Sequence, residues 1–322
     1  MMHKVAGELV LALLLLNVTT ADASVFMPTF ARAAMPEIAG FSFSQDVPHL
    51  PVADDRVLTP RKTDLAAVGV DTTAQSVTVF DAASGALLYA EEPDVVRSIG
   101  SISKLMTAMV FLDAVPDLSS WVTVTTDDYA GGGRAYLFYG DAVHLGDVLS
   151  ASLVGSDNTA TEALVRFSGI SREDFIAKMN AKAVEMGLVS TTFIDPSGLA
   201  AENQSTAREV ASILAHAAAY DEITGRTQMA VANVVHSSGR LVAIPSTDEL
   251  LSSSFVASGF DLLVAKTGFI PQAGYCFTGA FVYNGRRIYT TVLGADSKES
   301  RFVDAANVTD WVTKVYTWPA EL

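Results

Sequence analysis

Tyr275-Cys-Phe-Thr-Gly-Ala-Phe-Val-Tyr283, Asn284-Gly285 and Arg286-Arg-Ile-Tyr-Thr-Thr-Val-Leu293 form one stretch in which two apolar, aromatic and β-branched runs flank a turn dipeptide. Asn and Gly both tolerate the positive φ angles of a tight two-residue turn, so this stretch predicts an antiparallel hairpin. On its N-terminal side, Phe260 to Thr267 is a further strand-like run; on its C-terminal side, Asp304 to Trp318 reads as a closing helix. Far upstream, Ser76-Val-Thr-Val-Phe80 and Ala86-Leu-Leu-Tyr-Ala90 flank the turn Asp81-Ala-Ala-Ser-Gly85. Helical spacing dominates between these two groups of strands. Ser101 to Leu112 is rich in Met, Leu and Ala, and Val143 to Phe167 is helical but interrupted by Gly155-Ser156-Asp157-Asn158. Ser171 to Met186 starts on an N-cap serine with Glu173 and Asp174 in its first turn, and Thr206-x-x-Glu209 resembles a capping box before Val210 to Ala219. Strands at both ends and helices between them predict an α+β fold whose N- and C-terminal strands share one antiparallel sheet.

With 322 residues, half of them apolar, the chain can bury a substantial core. Its formal charge of −15 and lack of a basic cluster argue against nucleic acid as a partner. At the N-terminus, Lys4 precedes an apolar run from Val10 to Leu16 and the small-x-small site Ala21-Asp22-Ala23. We read 1–23 as a cleaved secretion signal, because the apolar run is short for a membrane span. An uncleaved anchor is the alternative. Residues 24–65, with five prolines and no sustained period, read as a leader or linker, and 66–322 as the organised domain. Cys276 is the only cysteine, so no intrachain disulfide forms; within an apolar run it reads as a small buried hydrophobe.

Three short motifs carry candidate chemistry. In Ser101-Ile-Ser-Lys104, a helix would place hydroxyl and amine on one face. A serine needs a base to react, and lysine serves only when neutral. Lowering its ordinary pKa of about 10.4 to near 7 costs roughly 4 kcal/mol. A desolvated cleft and a second cation, for which Lys266 is the candidate, can supply that shift. Taken alone, the pair reads equally as exposed polar residues. Ser156-Asp-Asn158 breaks an apolar helical stretch with three polar groups that need partners or a cleft; a helix cap is the plain alternative. Lys266-Thr267-Gly268 ends a strand, where ammonium and hydroxyl can receive a carboxylate and the glycine can admit a substrate backbone. A solvated strand end is the alternative there. His144, His216 and His236 lack metal-ligand spacing, so no metal or other cofactor is expected.

The order Ser-x-x-Lys, Ser-x-Asn, Lys-Thr-Gly, with gaps of 55 and 110 residues, resembles that of penicillin-binding proteins and serine β-lactamases. More closely, the chain resembles the serine D-alanyl-D-alanine carboxypeptidases of peptidase family S11, the low-molecular-mass penicillin-binding proteins. The matching text is Asp94 to Ala108, Leu153 to Asn158, Asp195-Pro-Ser-Gly-Leu199, Gln204 to Arg208, and Lys266-Thr-Gly-Phe269 with Ala273-Gly-Tyr275. It runs from about Ala74 to Trp318, with most likeness to the endopeptidase branch. The Gly131-Gly-Gly133 loop finds no counterpart.

The resemblance implies a β-lactamase/transpeptidase-like fold with a helical subdomain holding the Ser-x-Asn motif. It implies Ser101 as acylated nucleophile, Lys104 as its base and Ser156 as a further catalytic hydroxyl. Asn158, Lys266, Thr267 and Gly268 would bind substrate, and the backbone N–H groups of Ser101 and Phe269 would form the oxyanion hole. The expected partners are peptidoglycan peptides, with β-lactams as covalent inhibitors. The expected location is the periplasm or cell-wall space, without a stable membrane anchor once the signal is cut. Two rivals remain at this level. A β-lactamase would need a deacylating glutamate, and no Glu-x-x-Leu-Asn run occurs. A wall-binding homologue without catalysis would not need all three motifs.

Overall fold

The hairpin forms around the Asn-Gly turn. Gly274–Tyr283 and Arg286–Ala295 pair antiparallel with Tyr283 opposite Arg286, and Asn284 and Gly285 take φ of 49° and 75°. These features come from a computed structural model that describes residues 59–115 and 117–319; the expected signal segment and the expected leader up to residue 58 lie outside the described residues. Asp261–Ile270 adds to the outer side of Gly274–Tyr283 as an edge strand. On the other side Ser76–Asp81 pairs with Arg286–Ala295, and Leu87–Glu91 completes a five-stranded antiparallel sheet. The two ends of the chain therefore meet in one sheet, as the strand distribution predicts.

Side chains alternate across a strand, and both faces of this sheet are covered. Gly274–Tyr283 sends Cys276 and Ala280 into one core and Phe277 and Phe281 into another. The second core is closed by Phe302, Ala305, Val308 and Val312 of the helix Ser300–Val315. The first is built around the helix Ser103–Ala114, in which every residue from Ser103 to Phe111 is buried. A helix apolar nearly all round belongs in a core, and here it carries Lys104 into that core with it. Leu145–Leu153, Asn158–Phe167 and Arg172–Glu185 pack as a helical layer on this side. Cys276 is fully buried and its thiol is pushed up to about 11 by that burial, which suits a packing residue rather than a nucleophile.

Several local expectations shift. Arg61–Lys62, within the stretch read as linker, pairs with Tyr316–Thr317; two residues are too few to show a period. The last helix begins at Ser300 rather than Asp304, behind a turn in which Ser297 and Ser300 exchange backbone-to-hydroxyl bonds of 2.9 and 3.0 Å. Ala142–His144 is a strand paired with Trp121–Thr123, not the first turn of a helix. A second small hairpin, Val231–Val235 with Leu241–Pro245, had escaped notice despite its alternating burial. Thr206 caps its helix by accepting from the Glu209 N–H, but the Glu209 carboxylate accepts instead from the Ser190 N–H and Thr191 hydroxyl. Only half of the capping box forms, because the other half is spent tying down the preceding loop. Among the described residues, no helix is long and apolar enough to cross a membrane.

Candidate active site

Ser101 lies in a single 3-10 turn, Gly100–Ile102, that leads directly into Ser103–Ala114. Lys104 follows one turn later and is fully buried. Its Nζ is 2.9 Å from Ser101 Oγ, 2.7 Å from Asn158 Oδ1 and 2.6 Å from the carbonyl of Ser197. Burial pulls its pKa down to about 7, and the carboxylates of Asp195, Asp157 and Glu162 oppose that pull without cancelling it. Of the two causes the sequence suggested, a desolvated cleft and the charge of Lys266, desolvation lowers Lys104 and Lys266 is not among the causes. A neutral Lys104 has two N–H bonds and one lone pair. Asn158 Oδ1 and the Ser197 carbonyl are pure acceptors, so they take the two N–H bonds and leave the lone pair facing Ser101. Replacing Asn158 by Asp is expected to add a charge 2.7 Å from that amine and raise its pKa. The acid limb of the pH–acylation profile should then move upward, leaving less reactive enzyme at neutral pH; stopped-flow acylation across pH 5–9 reads this.

Ser156 sits between the helices Leu145–Leu153 and Asn158–Phe167 with φ of 58°, a left-handed conformation that a serine adopts at a cost of order 1 kcal/mol. Its hydroxyl accepts from Lys266 Nζ at 2.9 Å. Lys266 is also buried, and its pKa is well below the ordinary value, chiefly through desolvation and then through the charges of Lys104 and Arg301. Two serine–lysine pairs thus meet at one cleft. Asp157, the middle residue of the motif, caps the helix Asn158–Phe167 through the Ala160 N–H and also accepts from the N–H groups of Tyr136 and Leu137. Asn158 Nδ2 donates to the carbonyls of Gly131 and Gly132. The glycine loop that could not be placed from sequence is therefore pinned beside the reactive lysine.

Three glycines let backbones meet around Ser101. A Cβ on Gly268 would lie 2.3 Å from the Ile99 carbonyl oxygen, and one on Gly198 (φ +82°) would lie 2.0 Å from that of Gly100. One on Gly100 would lie 2.8 Å from the Phe269 backbone nitrogen. Gly268 lines the cleft, and its missing side chain makes room for the chain leading into the Ser101 turn. The same junction brings the backbone nitrogens of Ser101 and Phe269 to one end of the cleft.

The cleft encloses about 410 Å³; Ser101, Ser156, Asn158, Thr267, Gly268 and Phe269 all line it. Thr267 donates its hydroxyl to that of Thr247 at 2.8 Å. Sequence reasoning missed Arg301, a buried cation that lines the cleft and donates to the Gly268 carbonyl at 3.4 Å. It also missed Asp195, whose Oδ1 accepts from the Ser197 hydroxyl and N–H and the Gly198 N–H, shaping the loop that meets Lys104. The Asp-x-Ser-Gly pattern of an Asx turn was the available signal for Asp195. Nothing local marks Arg301.

The family model described as D-alanyl-D-alanine carboxypeptidase, peptidase S11, matches residues 62–297. The chain is 31% identical over 251 residues to a D-alanyl-D-alanine endopeptidase of Escherichia coli K12, covering 76% of this chain and 79% of that one. It is 34% identical over 205 residues to a D-alanyl-D-alanine endopeptidase of Haemophilus influenzae, covering 63% and 68%. The crystal structure of the Streptomyces K15 DD-transpeptidase superposes with a TM-score of 0.70 at 27% identity, covering 77% of this chain and all of that one. The likeness spans both the sheet and the helical layer that hold the two serine–lysine pairs. The chain belongs to the D-alanyl-D-alanine carboxypeptidase family, peptidase S11.

Proposed function

We propose that this protein is an exported serine peptidase that cleaves the bond after a D-alanine in peptidoglycan stem peptides or their cross-links, through an acyl-enzyme on Ser101. The observation that carries it is a buried Lys104 with its pKa near 7, its two N–H bonds occupied, 2.9 Å from the Ser101 hydroxyl. Lys104 takes the hydroxyl proton as Ser101 attacks the carbonyl, and the backbone N–H groups of Ser101 and Phe269 receive the developing oxyanion. Such donors are worth roughly 10²–10³ in rate each. The proton returns to the leaving amine from Lys104, with the Ser156 hydroxyl, which also lines the cleft, as a relay. Water then hydrolyses the ester, and Lys104 again serves as base. A β-lactam enters by the same attack and stays as a stable ester.

Thr267 and Arg301 line the cleft, and the buried Lys266 amine reaches its wall through Ser156, so hydroxyl, guanidinium and amine donors gather there in an otherwise acidic protein, which suits a free substrate carboxylate. The residues lining the cleft include no Asp or Glu, which disfavours the fast deacylation of a β-lactamase. Relatives named endopeptidases support cross-link cleavage as the main reaction. Digestion of purified cross-linked muropeptides separates the activities: loss of dimers marks the endopeptidase, shortening of pentapeptides alone the carboxypeptidase. Neither change, or cleavage that survives Ser101→Ala, would sink the assignment. Thr267→Val should raise KM for substrates with a free carboxylate about tenfold while leaving the acylation rate at saturation within a factor of a few, since one charge-assisted hydrogen bond is worth roughly 1.5–3 kcal/mol.

A further inference from the structure

Beside the cleft lies a second cavity of about 510 Å³, within the size range of small-ligand sites and lined largely by Tyr129, Ala135, Leu137, Phe138 and Tyr139. Three of these rings stand in solvent: Tyr129 is 78% exposed, Tyr139 76% and Phe138 56%. Clustered exposed aromatics are costly on a surface that meets only water, and such patches mark binding sites. We propose that this aromatic shelf binds the amino-sugar strand to which the stem peptide is attached, an inference that rests on the peptidoglycan reading above.

The shelf and the cleft are two faces of one loop. Gly133, Arg134 and Tyr136 line the cleft, whereas Ala135, Leu137 and Phe138 line the shelf. The loop is held by bonds from the Tyr136 and Leu137 N–H groups to Asp157 and from Asn158 to the carbonyls of Gly131 and Gly132. A backbone fixed in this way loses little entropy on binding, so the loop presents its rings at a set position beside the cleft. The substrate is itself two polymers joined. A stem of four residues spans at most about 14 Å when extended, so a peptide reacting at Ser101 keeps its sugar end close to the walls of the cleft. The flat C–H faces of a pyranose carry slight positive charge and stack on the negative face of an aromatic ring. Thr126 lines the same cavity with a hydroxyl for the sugar's polar groups, while the hydroxyls of Thr125 and Thr159 bond to Asp128 and to the Ala130 N–H and so brace its wall.

The test compares two substrates, a cross-linked peptide dimer without sugar and the same dimer carried on disaccharides. In the double variant Tyr129→Ser, Tyr139→Ser, kcat/KM on the sugar-bearing dimer should fall at least tenfold. Cleavage of the bare peptide and acylation by a fluorescent penicillin should stay within twofold, which also reports an intact fold. Wild-type protein should co-sediment with peptide-free glycan strands, and the double variant should not. Equal effects on the two substrates, no effect on either, or wild-type protein that ignores glycan strands would overturn the proposal. So would a concentration-dependent dimer of the wild type that the double variant abolishes, since the shelf would then serve a second copy. Glycan co-sedimentation is read without turnover, so its result stands apart from any failure of the peptidase assignment.

Discussion

Lys104→Met is expected to leave a folded protein that is acylated by penicillin roughly 10²- to 10⁴-fold more slowly, the range for losing a positioned general base. Methionine keeps an unbranched side chain in a site where Lys104 is fully enclosed, and it removes the need to bury an amine. Stability should hold or rise while reactivity falls, a combination that a merely structural lysine would not give. The wild-type profile sets the companion expectation. With Lys104 near 7 in the folded protein, acylation should lose one proton's worth of activity as pH falls through that value. The linkage has a definite sign. The unfolded chain protonates this lysine at about 10.5 and the folded one only near 7, so the unfolded state binds more protons across that interval. Lys104 thus makes stability rise with pH between about 7 and 10.5, and the rise should be shallower in Lys104→Met, with the buried Lys266 supplying what remains. Guanidinium unfolding at pH 7 and pH 9 measures it; an acylation rate unchanged by the substitution would remove Lys104 from the mechanism.

Gly198→Ala is expected to be nearly as damaging although no side chain there reacts. The alanine would sit at φ +82° with its Cβ 2.0 Å from the Gly100 carbonyl oxygen and 3.0 Å from the Ser101 backbone nitrogen. The left-handed backbone alone costs about 1–2 kcal/mol. The overlap is with main chain, which no rotamer change relieves, and overpacking of this kind adds about 1–3 kcal/mol. A fall in Tm of roughly 5 °C or more follows for a domain of this size. Any relaxation must displace Gly100 and Ser101, so acylation should drop about 10²-fold, comparable to losing an oxyanion donor. Gly85 provides the control: it has φ +69° but open space around its Cβ position, so Gly85→Ala should show the backbone cost alone and full activity. Equal Tm losses for the two variants would show that contact with the Ser101 turn is not what matters at Gly198.

The candidate site was legible where chemistry coincides with local spacing. Ser101 and Lys104 lie one helical turn apart, so their meeting follows from the period of the helix alone. Thr267 and Gly268 follow Lys266 on a strand that the strand-like run from Phe260 already indicated. Partners supplied by distant segments were not legible. The Ser197 carbonyl reaches Lys104 across 93 residues, and Arg301 reaches the Gly268 carbonyl across 33. Backbone carbonyls look alike in any sequence, and an arginine on a terminal helix reads as a surface charge until the sheet behind it is known.

From its sequence this chain already declares an antiparallel α+β sheet made from its two ends, a buried cysteine, and a serine with its lysine one turn away. The serine–lysine spacing follows from the period of one helix, the cysteine from the apolar run around it, and the shared sheet from strands standing at both ends with helices between. Tertiary structure alone decided that burial would draw the Lys104 pKa down to about 7, that Gly268 makes room for the Ser101 turn, and that the Gly131–Gly133 loop would lean on Asn158. Desolvation and backbone-to-backbone approach are properties of how separate segments pack, and they have no local signature in the order of the residues.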